Sequence, residues 1–170
     1  ANSYDTETGI DLEGTKSLEG RTLKDGEFTF EVKGKAGKVV ATGSNKSDGS
    51  ISFNNKLNYK LSDLEKADGS YESEKTYEYT VNEVIPEGAT AENNYTVNGV
   101  TYDSKTVNVK VTVTYNKETG ELKAELAKDS EAIAFQNSYD TETSIGLEGT
   151  KSLSGRTLKD GEFTFEVKDK

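Results

Sequence analysis

The stretch LEGTKSLEGRTLKDGEFTFEV, residues 12–32, decides the architecture of this chain because it occurs twice. Residues 147–167 repeat it with a single change, in which Glu19 becomes Ser154. Its last five residues, FTFEV, alternate apolar and polar side chains, which is typical of a β-strand with one buried face. The duplicated stretch therefore predicts a β domain that is used more than once.

The repeat is the size of a whole domain. Residues 1–35 and 136–170 align at an offset of 135 with few differences, and a period of that length is too long for a solenoid unit. The sequence therefore predicts the end of a preceding repeat and a linker at 1–8 and one complete repeat at 9–139. Residues 140–170 follow as a linker and the first hairpin of the next, incomplete repeat. Because the sequence begins with Ala and stops within a repeat, we expect it to be part of a longer polypeptide. Because it has no long apolar run, we expect this part to be soluble.

The composition favours a folded acidic protein and argues against several classes of function. The net charge is −10 without a basic cluster, so nucleic acid and anionic membrane are poor partners. Cys, His, Met and Trp are absent, which removes disulfides, most zinc, copper and haem sites, and catalysis by Ser-His-Asp or Cys-His groups. We therefore expect no metal and no cofactor, and there is no apolar run long enough for a transmembrane helix.

Alternating apolar residues predict a series of short strands. The clearest are at 75–85, which ends before the single proline, Pro86, and at 105–115. Asn98-Gly99 between two short apolar runs predicts a tight hairpin. Short strands joined by turns, with at most a helical turn near 62–67, predict an all-β fold, an immunoglobulin-like antiparallel β-sandwich.

Three polar residues fall on the apolar faces of predicted strands: Lys16 on the first, Glu83 on a middle one and Asn137 on the last. Each alone has an ordinary explanation, since an inward lysine near a strand end often extends to solvent. Together they can perform a reaction. A buried lysine becomes a neutral nucleophile, and a buried carboxyl stays protonated and can polarise an amide carbonyl and shuttle protons. Attack on the asparagine carboxamide would release ammonia and leave an isopeptide bond between the first and last strands.

Three motifs also resemble a known family. TKSLEGR followed by KDGEFTFE, within 15–31, resembles the opening of the Gram-positive pilin isopeptide-linkage domain (FctA). YTVNEVIPEG at 79–88 looks like the glutamate-bearing segment of the related collagen-adhesin B-type (CnaB-like) domains, and FQNSY at 135–139 looks like their closing F-x-N-x-Y motif. The three motifs occur in the family's order and span essentially the whole repeat.

The resemblance implies roles for the same three residues: Lys16 as nucleophile, Asn137 as acceptor and Glu83 as catalytic acid. It also implies a stalk module of a cell-wall-anchored, extracellular surface protein, whose partners are the neighbouring repeats of its own chain. Such a domain carries out one cross-linking reaction, between its own side chains, and is not an enzyme. The absence of Trp and of a sorting signal favours a tandem-repeat adhesin stalk over a polymerising pilin shaft. Two alternatives remain, a ligand-binding adhesin module for a host protein or glycan and an ordinary spacer without the bond.

The incomplete copies contain two counterparts of the site residues. Lys151 is the counterpart of Lys16, and Asn2 is the counterpart of Asn137. Lys151 is not followed by a glutamate strand and an acceptor strand, and Asn2 lacks the strand that would carry it. We therefore expect both to be unlinked. Residues 145–170 form either a loose tail or a segment that competes with 10–35 for its place, in this chain or, by strand swapping, in another.

Overall fold

The computed structural model describes residues 6–140 and 145–170, and Asn2 lies outside the described residues. Within them the chain is almost entirely β, as the alternating sequence predicted, with two short 3-10 helices at Leu61–Leu64 and Ala91–Asn93. The strands of the described part are β1 (Glu7–Ile10), β2 (Gly14–Glu19), β3 (Thr29–Gly34), β4 (Val39–Asn45), β5 (Ser50–Phe53), β6 (Leu57–Lys60), β7 (Glu74–Glu83), β8 (Thr96–Val97), β9 (Val100–Thr101), β10 (Val107–Asn116), β11 (Glu121–Leu126) and β12 (Ile133–Tyr139).

Ten of these strands form one sheet that curls upon itself. Their order is β11-β10-β7-β3-β4-β5-β2-β12-β9-β8, and β1 and β6 form a separate two-stranded sheet. A twisted sheet of this size closes on itself, so its two halves become facing layers. Phe30 of β3 and Phe135 of β12 meet between the layers, with ring centroids 5.2 Å apart. The predicted sandwich class is confirmed.

The first and last strands of the sandwich lie side by side and run parallel. In their register Lys16 is opposite Phe135, and Leu18 is opposite Asn137. The other strand pairs of the described residues are antiparallel. The predicted antiparallel sandwich thus contains one parallel pair that the sequence did not reveal. Because side chains alternate along a strand, this register places Lys16 and Asn137 on the same face.

In the structure, the first predicted strand, which carries Lys16, is divided into β1 and β2. β1 pairs with β6 in the small sheet, whereas β2 pairs with β5 and β12 in the large one. The chain crosses between the two sheets at residues 11–13, as strands do at the corners of sandwiches. Gly14 is required at this corner, because a Cβ atom there would lie 2.7 Å from Cγ2 of Ile133.

The core consists of the inward residues of facing strands. Val107, Val109, Val111 and Val113 of β10 are at most 3% exposed, as their spacing predicted. The hairpin at Asn98-Gly99 also forms, and both residues have positive φ angles, 51° and 82°. The helical turn expected near 62–67 is instead the 3-10 helix Leu61–Leu64.

The trailing copy behaves differently from the first. Residues 145–170 contain no strand, and the side chain of Phe165 is 72% exposed, whereas its counterpart Phe30 is fully buried. The division of the chain into repeats stays a prediction. Among the described residues no helix has the length and apolar character needed to cross a membrane.

Candidate functional site

The three polar residues singled out in the sequence meet in the interior of the sandwich. Lys16 lies on β2, Asn137 on the adjacent β12, and Glu83 at the end of β7 in the facing layer. Their exposed fractions are 3%, 1% and 5%. Polar side chains so deeply buried have to satisfy one another, because water cannot reach them.

One carboxylate oxygen contacts both of the other groups. Glu83 Oε1 lies 2.8 Å from Lys16 Nζ and accepts a hydrogen bond of 3.0 Å from Asn137 Nδ2. The contact with Nζ is close but poorly aligned, since Nζ makes no well-directed hydrogen bond. Nζ also lies 4.6 Å from the centre of the Phe28 ring. The amine, the carboxyl and the carboxamide therefore form one compact cluster.

Burial shifts both ionisable groups toward their neutral forms. Desolvation lowers the pKa of Lys16 and is a larger effect than its contact with Glu83, which raises it. Desolvation likewise raises the pKa of Glu83, and its contact with Lys16 opposes this shift. The environment thus favours a neutral amine beside a protonated carboxyl, which is the state a nucleophile and an acid require.

The carboxamide oxygen is held by a group that the sequence did not indicate. The backbone N–H of Asp103 donates to Asn137 Oδ1 at 2.8 Å and also lies 3.3 Å from Glu83 Oε2. The sequence interpretation placed Glu83 at the carbonyl oxygen, but here Glu83 contacts the carboxamide nitrogen instead. Asp103 was missed because it lies in the loop between β9 and β10, where strand alternation gives no signal.

A buried asparagine, Asn45, supports the surroundings of Lys16. Its Oδ1 accepts a 2.8 Å hydrogen bond from Phe28 N, and its Nδ2 donates to Lys24 O at 2.8 Å. It thus fixes the loop that brings the Phe28 ring over the Lys16 amine. With these partners Asn45 is a structural residue.

The trailing copy keeps the local geometry of the first without its burial. Lys151 is exposed, and its Nζ lies 4.7 Å from the centre of the Phe163 ring, almost as Lys16 lies over Phe28. Gly155 has a φ of 99°, and its counterpart Gly20 has 98°. The turn at this glycine and the lysine–phenylalanine contact are therefore alike in both places.

Comparison with known proteins adds a family match. The family model of the FctA, or Spy0128-like isopeptide containing, domain matches residues 12–140. Among solved structures, the major pilin from Streptococcus pyogenes matches with 20% identity and a TM-score of 0.42, over 78% of this chain and 51% of the pilin chain. The T-13 major pilin from S. pyogenes matches with 18% identity and a TM-score of 0.37, over 79% and 54%.

The chain therefore spans about half the length of these pilins. A search of curated proteins gave no match.

Proposed function

Because the chain belongs to the family of Spy0128-like isopeptide-containing domains, we propose that it is a structural domain of a Gram-positive surface stalk, stapled by an isopeptide bond between Lys16 and Asn137. The observation that carries this proposal is the position of Glu83 Oε1, within 2.8 Å of the lysine nitrogen and 3.0 Å of the carboxamide nitrogen. A buried, protonated carboxyl so placed can give its proton to the carboxamide nitrogen and regain one from the lysine nitrogen.

The reaction follows from these contacts. The lone pair of Lys16 Nζ attacks Asn137 Cγ, and the protonated Glu83 gives its proton to Nδ2 and takes one from Nζ in return. The C–Nδ2 bond then breaks, ammonia leaves, and Nζ remains bonded to Cγ. Neighbouring strands hold the reactants together in a dry site, so most of the acceleration comes from proximity. Each molecule reacts once, which is why the domain is not an enzyme.

The bond would stabilise the fold. It closes a loop of roughly 120 residues, for which the chain-entropy estimate used for disulfides gives about 4–5 kcal/mol. An amide is also unaffected by reducing agents. We therefore expect resistance to heat and proteases, as suits an extracellular, wall-anchored stalk whose partners are neighbouring repeats.

The intact mass of the folded chain tests this function. The parent chain should be lighter than its sequence by one ammonia, and peptide mapping should recover a branched peptide that contains Lys16 and Asn137. Glu83→Gln should have the full sequence mass, because its side chain cannot carry the proton. Glu125→Gln, on the exposed part of β11, is the matched control and should cross-link normally. A folded parent chain of full mass would exclude the bond.

Two finer parts of this function need separate tests. The ligand-binding adhesin alternative predicts affinity for a host protein or glycan, which a binding screen against matrix proteins and glycan arrays measures. For the trailing copy, we propose that residues 145–170 can enter a second repeat in place of 10–35. The matching backbone conformation at Gly155 and Gly20 supports this exchange.

A further inference from the structure

The geometry points to Asp103 as a working part of the cross-linking site: its backbone N–H stabilises the oxyanion of the reaction, and its carboxylate positions the acceptor strand. This inference rests on the proposed isopeptide reaction and assigns groups that the Lys–Glu–Asn trio leaves out.

The backbone N–H of Asp103 is directed at the atom where charge develops. When the amine attacks Asn137 Cγ, the carbonyl electron pair moves to Oδ1, which becomes an oxyanion. The N–H already donates to Oδ1 at 2.8 Å, which lies within the range of effective oxyanion donors. Asn137 is only 1% exposed, so the oxyanion would develop in a region of low polarity, where such a donor has a strong effect.

Glu83 is thereby left for the proton transfer. Its Oε1 faces the two nitrogens, whereas its Oε2 lies 3.3 Å from Asp103 N. The N–H therefore holds the carbonyl oxygen and steadies the catalytic carboxyl at the same time. In the complete step the Nζ–Cγ bond forms, the proton moves from Nζ through Glu83 to Nδ2, and ammonia departs as Oδ1 returns to a carbonyl.

The carboxylate of Asp103 accepts a backbone hydrogen bond from β12 beyond the point where β9 ends. β9 pairs with β12 only at Ser138 and Tyr139, and the chain then leaves the sheet. Two residues before Ser138 in β12, Asp103 Oδ2 accepts a 3.0 Å hydrogen bond from Gln136 N. Its Oδ1 accepts from Lys105 N at 3.1 Å, which ties the loop to its own backbone.

The negative charge of Asp103 is not what the reaction needs. That charge raises the pKa of Lys16 and so works against the neutral amine. An uncharged side chain that still accepts from Gln136 N should therefore preserve most of the rate. This distinguishes positioning by Asp103 from an electrostatic role of its carboxylate.

Cell-free synthesis of the full chain, with acid-quenched samples weighed at intervals, gives the rate of ammonia loss for each variant. Replacing the Tyr102–Asp103 amide by an ester removes the N–H donor and leaves every side chain unchanged. We expect this change to slow cross-linking about 100-fold, as the loss of an oxyanion donor does in acyl transfer. Asp103→Ala should slow it at least about tenfold, and Asp103→Asn should recover most of that loss.

Asp68→Ala is the matched control. Asp68 also accepts hydrogen bonds within its own loop, from Ser70 N and Ser70 Oγ, but lies outside the site. It should react at the parental rate. Protease resistance of each product reports folding, and the ester variant remains decisive if Asp103→Ala does not fold.

The outcomes separate the two hypotheses. If the parent chain loses no ammonia, the proposed function and the role of Asp103 fail together. If the parent cross-links and the ester variant reacts as fast, only the role of the Asp103 N–H is overturned. If Asp103→Asn is as slow as Asp103→Ala, positioning by the side-chain acceptor is wrong.

Discussion

At the scale of single residues, the site combines two groups whose burial opposes their usual ionisation. Lys16 and Glu83 each have a side chain without solvent exposure, and each would be charged at neutral pH in water. Their closeness compensates only part of the cost of desolvation, so folding shifts both toward neutrality. In the unlinked protein these shifts should appear as a dependence of stability on pH.

Asn137→Ala removes the acceptor of the proposed bond and keeps Lys16 and Glu83, so it exposes this dependence. The raised pKa of Glu83 means that the folded state holds its proton longer, and stability should fall as pH rises from about 4.5 through the folded-state value. The lowered pKa of Lys16 means that the unfolded state binds more protons at alkaline pH. Stability should therefore rise again as pH approaches the unfolded value of 10.5.

Urea denaturation across this pH range measures both the fall in stability and the alkaline rise. Adding Lys16→Met to Asn137→Ala should abolish the alkaline rise, and a rise that persists would show that another group causes it. Tyrosine ionisation lies near the same range, so the two variants have to be compared with each other rather than with the parent.

At the scale of the strands, the close contact between the end of β2 and the end of β12 depends on a glycine. Gly20 has a φ of 98°, and a Cβ atom there would overlap the carbonyl oxygen of Tyr139. Gly155, its counterpart in the trailing copy, has nearly the same φ, but a Cβ there would meet nothing within 4 Å. The chain thus offers the same local sequence in a packed and an unpacked environment.

Gly20→Ala should destabilise the domain by at least about 2 kcal/mol, because it adds backbone strain to a clash with main chain. Gly155→Ala has the same unfavourable φ but no clash, and residues 145–170 contribute no strand to the sheet, so it should change the stability of the domain by less than about 0.5 kcal/mol. Urea denaturation in the Asn137→Ala background, which cannot form the proposed bond, measures both changes. Equal effects of the two substitutions would contradict the packing argument.

Much of this arrangement follows from alternation within strands, and the rest depends on contacts between distant segments. Lys16, Glu83 and Asn137 could be found because each interrupts an apolar face. The parallel register of β2 and β12 could not, since pairing across more than 100 residues leaves no local signal. Asp103 was also hidden, because a loop has no period and its N–H acts through the backbone.

At the scale of the whole molecule, the duplicated segment predicts a competition for one place in the sheet. In Lys16→Ala the residues at 10–35 still fit beside β12 but cannot react. Residue 149 would have to lie beside Ile133 for the trailing copy to replace them in the same chain, and only nine residues connect it to the end of β12. Parallel neighbours normally need a connection of a dozen or more residues, so exchange between chains is favoured.

Lys16→Ala should therefore accumulate covalent dimers through Lys151 of one chain and Asn137 of another. Strand exchange is reversible and the bond is not, so the dimer fraction should grow with time and with protein concentration. Denaturing gels and peptide mapping detect it. Adding Lys151→Ala should abolish the dimers, and a Lys16→Ala chain that stays monomeric at high concentration would rule out the exchange.

The parallel pairing of β2 and β12 also determines where the chain enters and leaves the domain. The chain enters the domain along β2 and leaves it along β12, which runs parallel to β2. It therefore leaves at the opposite end of the domain from the one where it enters. Successive repeats would then follow one another in line and lengthen the array without doubling back. With Lys16 bonded to Asn137, a pull along such an array would pass through only the short segments outside the bond. Residues 17–136, which lie between the two bonded residues, could not extend under this force. Each repeat would therefore keep a fixed length.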